Sequence, residues 1–447
     1  MAAIPEPPSE LPAELQDLKV YGPSKVGWDV SVEPNETMDA EGHLPPPEAR
    51  GFGQMDKSPR LPKRRDTNDP SVQALREHLR QNNGIKGLEI CEPWEVDRAA
   101  RIFHRDGFVV VRDILSPELL EEVREGSRRE LAKVLAHPGT DGRKYHTESG
   151  RLPHRYAYGT SSSSRQMLHD PVWAKLTDIP AVHRLINKMY GSEDWAINGA
   201  GGDVCLPGAV EYQSLHRDAP IFGDPPNSMT ERRVAQANLM GIDTKGRPAS
   251  ELSLHTQRRI SENCPATGTI NFQLVDCTWE NGPIRQIPGT HCNVQAPPLS
   301  QEEPDWMRCS TVVGAPAGSA VFRDHRAWHG ATPNLSNEIR CMPNIEWTAP
   351  WLAGPGIPRT MPHEIWEMLT PHGKHICRFV HSPPGVWPPG AGVMHPLAHG
   401  RLEAFKRMGG FNSVDELGNG VRKVMENYKK NPTGGGLPQA APVRAKL

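Results

Sequence analysis

Thr269-Ile270-Asn271-Phe272-Gln273-Leu274-Val275, then Glu280-Asn281-Gly282-Pro283, then Arg285-Gln286-Ile287 and Pro288-Gly289: a run rich in strand formers, a turn, a shorter run and a second turn follow one another without a break. The pattern resumes at Thr311 to Val313, Ala320 to Arg323 and Ile339 to Trp347. Short strands at roughly ten-residue spacing, punctuated by Gly, Pro and Asn, argue for a β-sandwich or barrel rather than a parallel sheet. The fold is therefore expected to be mainly β at its centre.

Upstream the period changes. Val72, Leu75 and Leu79 fall at helical spacing from Ser71 onward, and Asp97 to His104 reads as a helix leading into the buried strand Gly107 to Val111. Ser116-Pro117-Glu118 places a capping residue, a proline at the first helical position and an acid in the first turn, which opens a helix to about Leu135. Residues 138–166 read as a loop dense in Gly, Ser, Arg, His and Tyr, either a lid or a surface excursion. Helices follow from about Val172 to Tyr190, then Gly-punctuated strand-like segments. An aperiodic insertion spans 219–266, and C-terminal helices are expected at Pro362 to Leu369, Leu402 to Met408 and Val414 to Tyr428.

Residues 1–70 are rich in Pro, Glu and Gly and lack an apolar period, so they are expected to form a disordered arm. The run Lys63-Arg64-Arg65 within it reads as a solvated linker. Residues 71–430 are expected to form one domain, and 431–447 a flexible tail. The formal net charge of −2 gives no global attraction to nucleic acid, and no apolar run is long enough for a membrane span. Eight scattered cysteines, with no Cys-x-x-Cys, read as reduced core residues.

One short stretch carries candidate chemistry. In Ser214-Leu215-His216-Arg217-Asp218, strand alternation would turn His216 and Asp218 to one side and Arg217 to the other. An imidazole and a carboxylate converging in this way make two thirds of the 2-His-1-carboxylate set that suits Fe(II) and leaves coordination positions open. With 19 histidines in the chain, such a spacing arises by chance about once. His104-Arg105-Asp106 repeats the same letters at a helix-to-strand junction, where a structural role is expected. Two other uses of these letters fail. A kinase catalytic loop needs Asn five residues after its Asp, where this chain has Gly223 or Val111, and the His363-Glu364 pair has Glu367 where a zincin needs its second histidine.

Context decides between the two His-x-Asp pairs. Downstream lie Asp276 with Glu280-Asn281-Gly282-Pro283, Pro288-Gly289-Thr290-His291, Trp328-His329-Gly330 and Arg340, eleven residues past His329. In this order the sequence resembles the phytanoyl-CoA dioxygenase family of Fe(II)- and 2-oxoglutarate-dependent oxygenases, over about residues 98 to 350. The resemblance implies a double-stranded β-helix, a jelly-roll or cupin-like core with flanking α-helices. It implies that His216, Asp218 and His329 bind Fe(II), and that Arg340 pairs bidentately with the far carboxylate of 2-oxoglutarate. Tyr212, Ser214, Asn271 and Thr332 are candidate cosubstrate contacts, and Arg155, Tyr156 and Tyr158 candidate substrate contacts. One departure is Ala331, which stands where many relatives carry Ser; Thr332 is the candidate replacement.

The implied reaction is hydroxylation of an aliphatic C–H of a small organic or lipid-derived substrate, an acyl-CoA among the candidates, with O2 consumed and succinate and CO2 released. Asp218 disfavours a halogenase, which replaces that carboxylate with a small residue. The alternatives are a desaturase or cyclase variant of the same chemistry, or a binding protein that kept the jelly roll and lost turnover. Ala445-Lys446-Leu447 resembles a peroxisomal address read by an import receptor; read otherwise, the location is cytoplasmic.

Overall fold

The computed structural model of the protein describes residues 68–136, 155–158, 167–210, 212–218, 264–293, 302–355 and 359–384, with a few isolated positions between them. The expected N-terminal arm, nearly all of the insertion, the helices at 402–408 and 414–428 and the C-terminal Ala445-Lys446-Leu447 lie outside the described residues.

Eight helices and nine strands are described: α1 Pro70–Gln81, β1 Ile90–Cys91, α2 Val96–Asp106, β2 Phe108–Val111, α3 Pro117–Ala136, β3 Arg155–Tyr158, α4 Pro171–Thr177, α5 Pro180–Tyr190, β4 Ala196–Cys205, β5 Thr267–Phe272, β6 Ile284–Gln286, α6 Asp305–Arg308, β7 Ala320–Asp324, β8 His329–Ala331, β9 Arg340–Thr348, α7 His363–Glu367 and α8 Pro371–Ile376. The helices together run to more residues than the strands, so the described fold is mixed rather than mainly β. The strands nonetheless form its centre. Seven of them make one sheet in the order β1-β2-β7-β5-β9-β4-β3, antiparallel except for the β1/β2 pair.

The sheet has two unlike faces because alternate residues point opposite ways. Val109, Ile270, Phe272, Phe322, Cys341, Ile345 and Trp347 point to one side, where they form a single core with Phe103, Val123, Trp173, Leu185 and Ile186 of the helices. Full burial of each such side chain stabilises the fold by about 1.5–3 kcal/mol. Thr269, Asn271, Arg323, Arg340 and Asn344 point to the other side, all buried despite their polarity. Phe108, Val110, Val321 and Met342 share that second face and pack with Ile284 of β6. The ladder of β6 and β8 therefore covers it.

That smaller ladder is wider than its two strands. His216 forms an antiparallel bridge with His329, and Arg285 bridges Thr311 beyond β6. The expected strands at 214–218 and 311–313 thus contribute one bridge each. Both are held by a neighbour far away in the chain, which local strand propensity does not register. Among the described residues of the 138–166 segment, expected to be loop, Arg155–Tyr158 forms strand β3 at the sheet edge. Its four residues carry little pattern, and its pairing with β4 is non-local. Helix α8 was also unforeseen, though its signal was present: the Thr370 hydroxyl accepts from Gly373 N, and Pro371 stands at the first helical position.

The motifs read from the sequence tie this frame together. Gly107 closes α2 with φ +81°, and a methyl there would meet the His291 ring at 2.6 Å. His291 in turn donates from Nε2 to the His104 carbonyl (3.1 Å), while the Asp106 carbonyl accepts from Gly289 N (2.8 Å). The second His-x-Asp pair thus serves the α2–β2 junction, as expected.

Candidate metal centre

β8 is only three residues long, and its position is set from both sides. His329 N donates to the His216 carbonyl and His216 N to the His329 carbonyl, both at 2.9 Å. This reciprocal pairing puts the two side chains on one face, with ring centroids 4.1 Å apart. On the opposite face, a methyl on Gly330 would stand 2.8 Å from the Gln213 carbonyl oxygen. A bare Cα is required there for the 213–216 segment to close on β8. Two residues further on, Asp218 N donates to the His325 carbonyl (2.8 Å). The Trp328 amide donates to the Thr290 hydroxyl (2.9 Å), which anchors the residue before His329.

The three side chains converge. His216 Nε2 lies 3.7 Å from Asp218 Oδ1, and His329 Nε2 lies 3.5 Å from Asp218 Oδ2. Among the described residues this is the one group of three whose ligand atoms all fall within 4.8 Å of one another. Both rings are oriented by backbone: His216 Nδ1–H donates to the Ser214 carbonyl and His329 Nδ1–H to that of Ala327, each at 3.0 Å. A proton held on Nδ1 leaves the Nε2 lone pair facing Asp218. This is the outer-shell arrangement that fixes the tautomer of metal-binding histidines.

The electrostatics agree with the geometry. Burial, followed by the Arg323 guanidinium, pushes the His329 imidazole down to about 3, so it is neutral at physiological pH. Burial alone would raise the Asp218 carboxyl, but His329, Arg323 and His216 together hold it well below the ordinary carboxylate range. A neutral imidazole and an ionised carboxylate are the forms that ligate a divalent cation. The donor set is one that fits Fe(II).

Arg340, the first residue of β9, lies on the same interior face and is 3 % exposed. Its Nε donates to the Gly282 carbonyl (3.0 Å) in the Glu280–Pro283 turn. Among the described residues no carboxylate lies within ion-pair distance of it. A buried guanidinium without a protein anion fits the carboxylate of a small ligand, because an unpaired buried charge is costly.

The remaining expected residues divide. Asn271 is buried in register with Val321 and Asn344, and its Oδ1 has no hydrogen-bond partner among the described residues. Ser214 contributes the backbone carbonyl that holds His216. Thr332 gives its hydroxyl proton to the Pro283 carbonyl at 2.5 Å and so has none left for a carboxylate. Tyr212 does not share the face of His216. It packs under Arg285, whose register partner is Gly330 and which therefore lies on the outer side of the ladder. Arg155 is buried on β3 and donates to the Thr332 carbonyl (3.1 Å). Tyr156 and Tyr158 lie on the same strand, with side chains outside the described residues.

Two features went unread in the sequence. Fully buried Arg285 pairs with Glu303 behind the ladder, a contact between residues whose local context shows no partner. Arg323 of β7 donates from Nη1 to Asp218 Oδ2 (2.8 Å) and to His329 Nε2 (2.5 Å). The strand parity that turns Arg340 inward also turns Arg323 inward, so this residue was legible.

Residues 251–342 match the family model for phytanoyl-CoA dioxygenase (PhyH). The match takes in less than half of the 447-residue chain and marks a PhyH-like segment within it. The PhyH match takes in His329, Arg340 and the Glu280–Pro283 turn, and begins after Asp218. Among solved structures, the chain is similar to the epimerase SnoN in complex with Fe3+, alpha ketoglutarate and nogalamycin RO, at 18% identity and a TM-score of 0.38, covering 57% of this chain and 84% of that one. It is also similar to the non-heme alpha ketoglutarate dependent carbocyclase SnoK from nogalamycin biosynthesis, at 19% identity and a TM-score of 0.35, covering 56% and 83%.

Proposed function

We propose that the protein hydroxylates an aliphatic C–H of a small organic or lipid-derived substrate, with His216, Asp218 and His329 holding Fe(II) and Arg340 holding 2-oxoglutarate. The observation that carries this reading is the convergence of two imidazoles and one carboxylate on the same polar interior face that holds a buried arginine with no ion-pair partner among the described residues. When bound, iron and 2-oxoglutarate supply the oxidation: one atom of O2 enters the keto acid, which becomes succinate and CO2, and the other enters the substrate C–H.

The chain's own residues bind and orient. Ser214 and Ala327 carbonyls keep the Nδ1 protons of His216 and His329, so both Nε2 lone pairs stay available. Arg340 fixes the far carboxylate through its planar donor pair, with Gly282 holding the guanidinium in place. Val110, Val321 and Met342 on the same face limit water around the reacting positions. On this reading the seven-stranded sheet and the β6–β8 ladder are the two halves of a jelly roll. Residues 71–430 then form one dioxygenase domain.

Adding Fe(II) and 2-oxoglutarate under anaerobic conditions should give the charge-transfer absorption of a chelated keto acid. A panel of acyl-CoA, amino-acid and terpenoid candidates, scored by substrate-dependent succinate release and mass gain of the substrate, then identifies the substrate. Absence of the band together with no retained iron would overturn the reading. Chelation without a hydroxylated product from any active substrate would redirect it to desaturation or cyclisation.

A further inference from the structure

Arg323 Nη1 lies 2.5 Å from His329 Nε2, the atom whose lone pair faces the candidate metal position. A metal bound through that lone pair stands about 2 Å from the nitrogen. The two cannot occupy the same direction from Nε2 together. The same Nη1 also takes Asp218 Oδ2, at 2.8 Å, so one guanidinium nitrogen engages two of the three converging groups. The arrangement is built in: Arg323 is 7 % exposed and lies on the interior face by the parity of β7.

We propose that Arg323 is the resident cation of the metal-free protein, a latch that a divalent metal must displace before it binds. The inference rests on the metal-centre reading above and adds a competition to it. Without a cation, the Asp218 carboxylate and the His329 lone pair would face each other at 3.5 Å in a largely buried site. The guanidinium satisfies both, which lowers apparent metal affinity in proportion to the fraction of time it is swung away. Arg323 has somewhere to go. It is directly opposite Thr269, which is directly opposite Glu346, so the three form one row across β7, β5 and β9. Rotation along that row carries the charge toward the half-buried Glu346. Arg323 is thus a positioning residue for metal loading, distinct from Arg340.

The sign of one measurement separates this role from that of a supporting contact. Mn(II) alone is titrated into purified wild type and into Arg323→Met by calorimetry, with thermal unfolding of both followed without metal. The latch requires Mn(II) to bind Arg323→Met roughly tenfold or more tightly, the loss of one charge-assisted hydrogen bond, and the metal-free variant to melt at a lower temperature than wild type. Stopped-flow binding should show a rate that reaches a plateau with Mn(II) concentration in wild type and rises linearly in the variant. Arg323→Gln gives the same comparison if the methionine variant fails to fold. Equal or weaker Mn(II) binding by the variants, with wild type binding normally, overturns the latch and leaves the metal centre standing. No Mn(II) binding by wild type or variants would overturn the metal centre, and the latch with it.

Discussion

Replacing Arg340 by Met should weaken 2-oxoglutarate binding by about a hundredfold while leaving metal affinity within a factor of about two. The magnitude follows from the donors that remain. Of the five N–H groups of the guanidinium, the Nε–H is spent on Gly282, while Nη1 lies 3.8 Å from the Met342 sulfur, too weak an acceptor to hold it. Two parallel hydrogen bonds to a carboxylate are then available, each worth at least about 1.5 kcal/mol when charge-assisted. Their loss is about 3 kcal/mol, or two orders of magnitude in Kd. Methionine keeps most of the volume beside Met342 and Cys277, so packing changes little. The assay is an anaerobic titration of 2-oxoglutarate into the Fe(II)-loaded proteins, read by absorption, beside a Mn(II) titration of the same preparations. Arg340→Lys, which keeps the charge but not the fork, should fall between. A 2-oxoglutarate Kd within threefold of wild type, or equal losses of metal and cosubstrate, would refute the role given to this residue.

Three further outcomes are expected. Asp218→Ala should abolish stoichiometric metal binding while the metal-free protein stays folded, since its carboxylate side chain is a third exposed; iron content by colorimetry after reconstitution checks this. Gly330→Ala should cost about 1–3 kcal/mol by overpacking and weaken metal binding as well, because the new methyl sits 2.8 Å from the Gln213 oxygen and pushes the His216 segment off β8; thermal melts and Mn(II) titration together test it. Lowering the pH below about 6.5 should destabilise the metal-free fold. Burial depresses the imidazoles of His183 and His291, so the unfolded chain binds more protons and stability, complete above the unfolded value of about 6.5, is lost as pH falls. Melting temperature against pH reads the slope, which His183→Gln should reduce; an unchanged slope would show that this ring is not the source.

By itself the sequence determined the order of the elements and the positions of the chemistry. Period-3.6 and short β-branched runs marked α1, α2, α3, β2, β5, β7 and β9 because local spacing reports which face of a segment is apolar. The spacing from His216 to Asp218, and from His329 to Arg340, marked the candidate site because those residue types serve few purposes together. What only the tertiary structure decided depends on partners distant in the chain. His216 is held by His329 across a single bridge, Tyr212 turns outward to Arg285, and β3 exists through its pairing with β4. Thr332 spends its proton on Pro283, and Arg323 takes up the lone pairs of Asp218 and His329. Hydrogen bonds act over about 3 Å, and residues remote in the chain, such as Asp218 and Arg323, come within that range only when the fold closes.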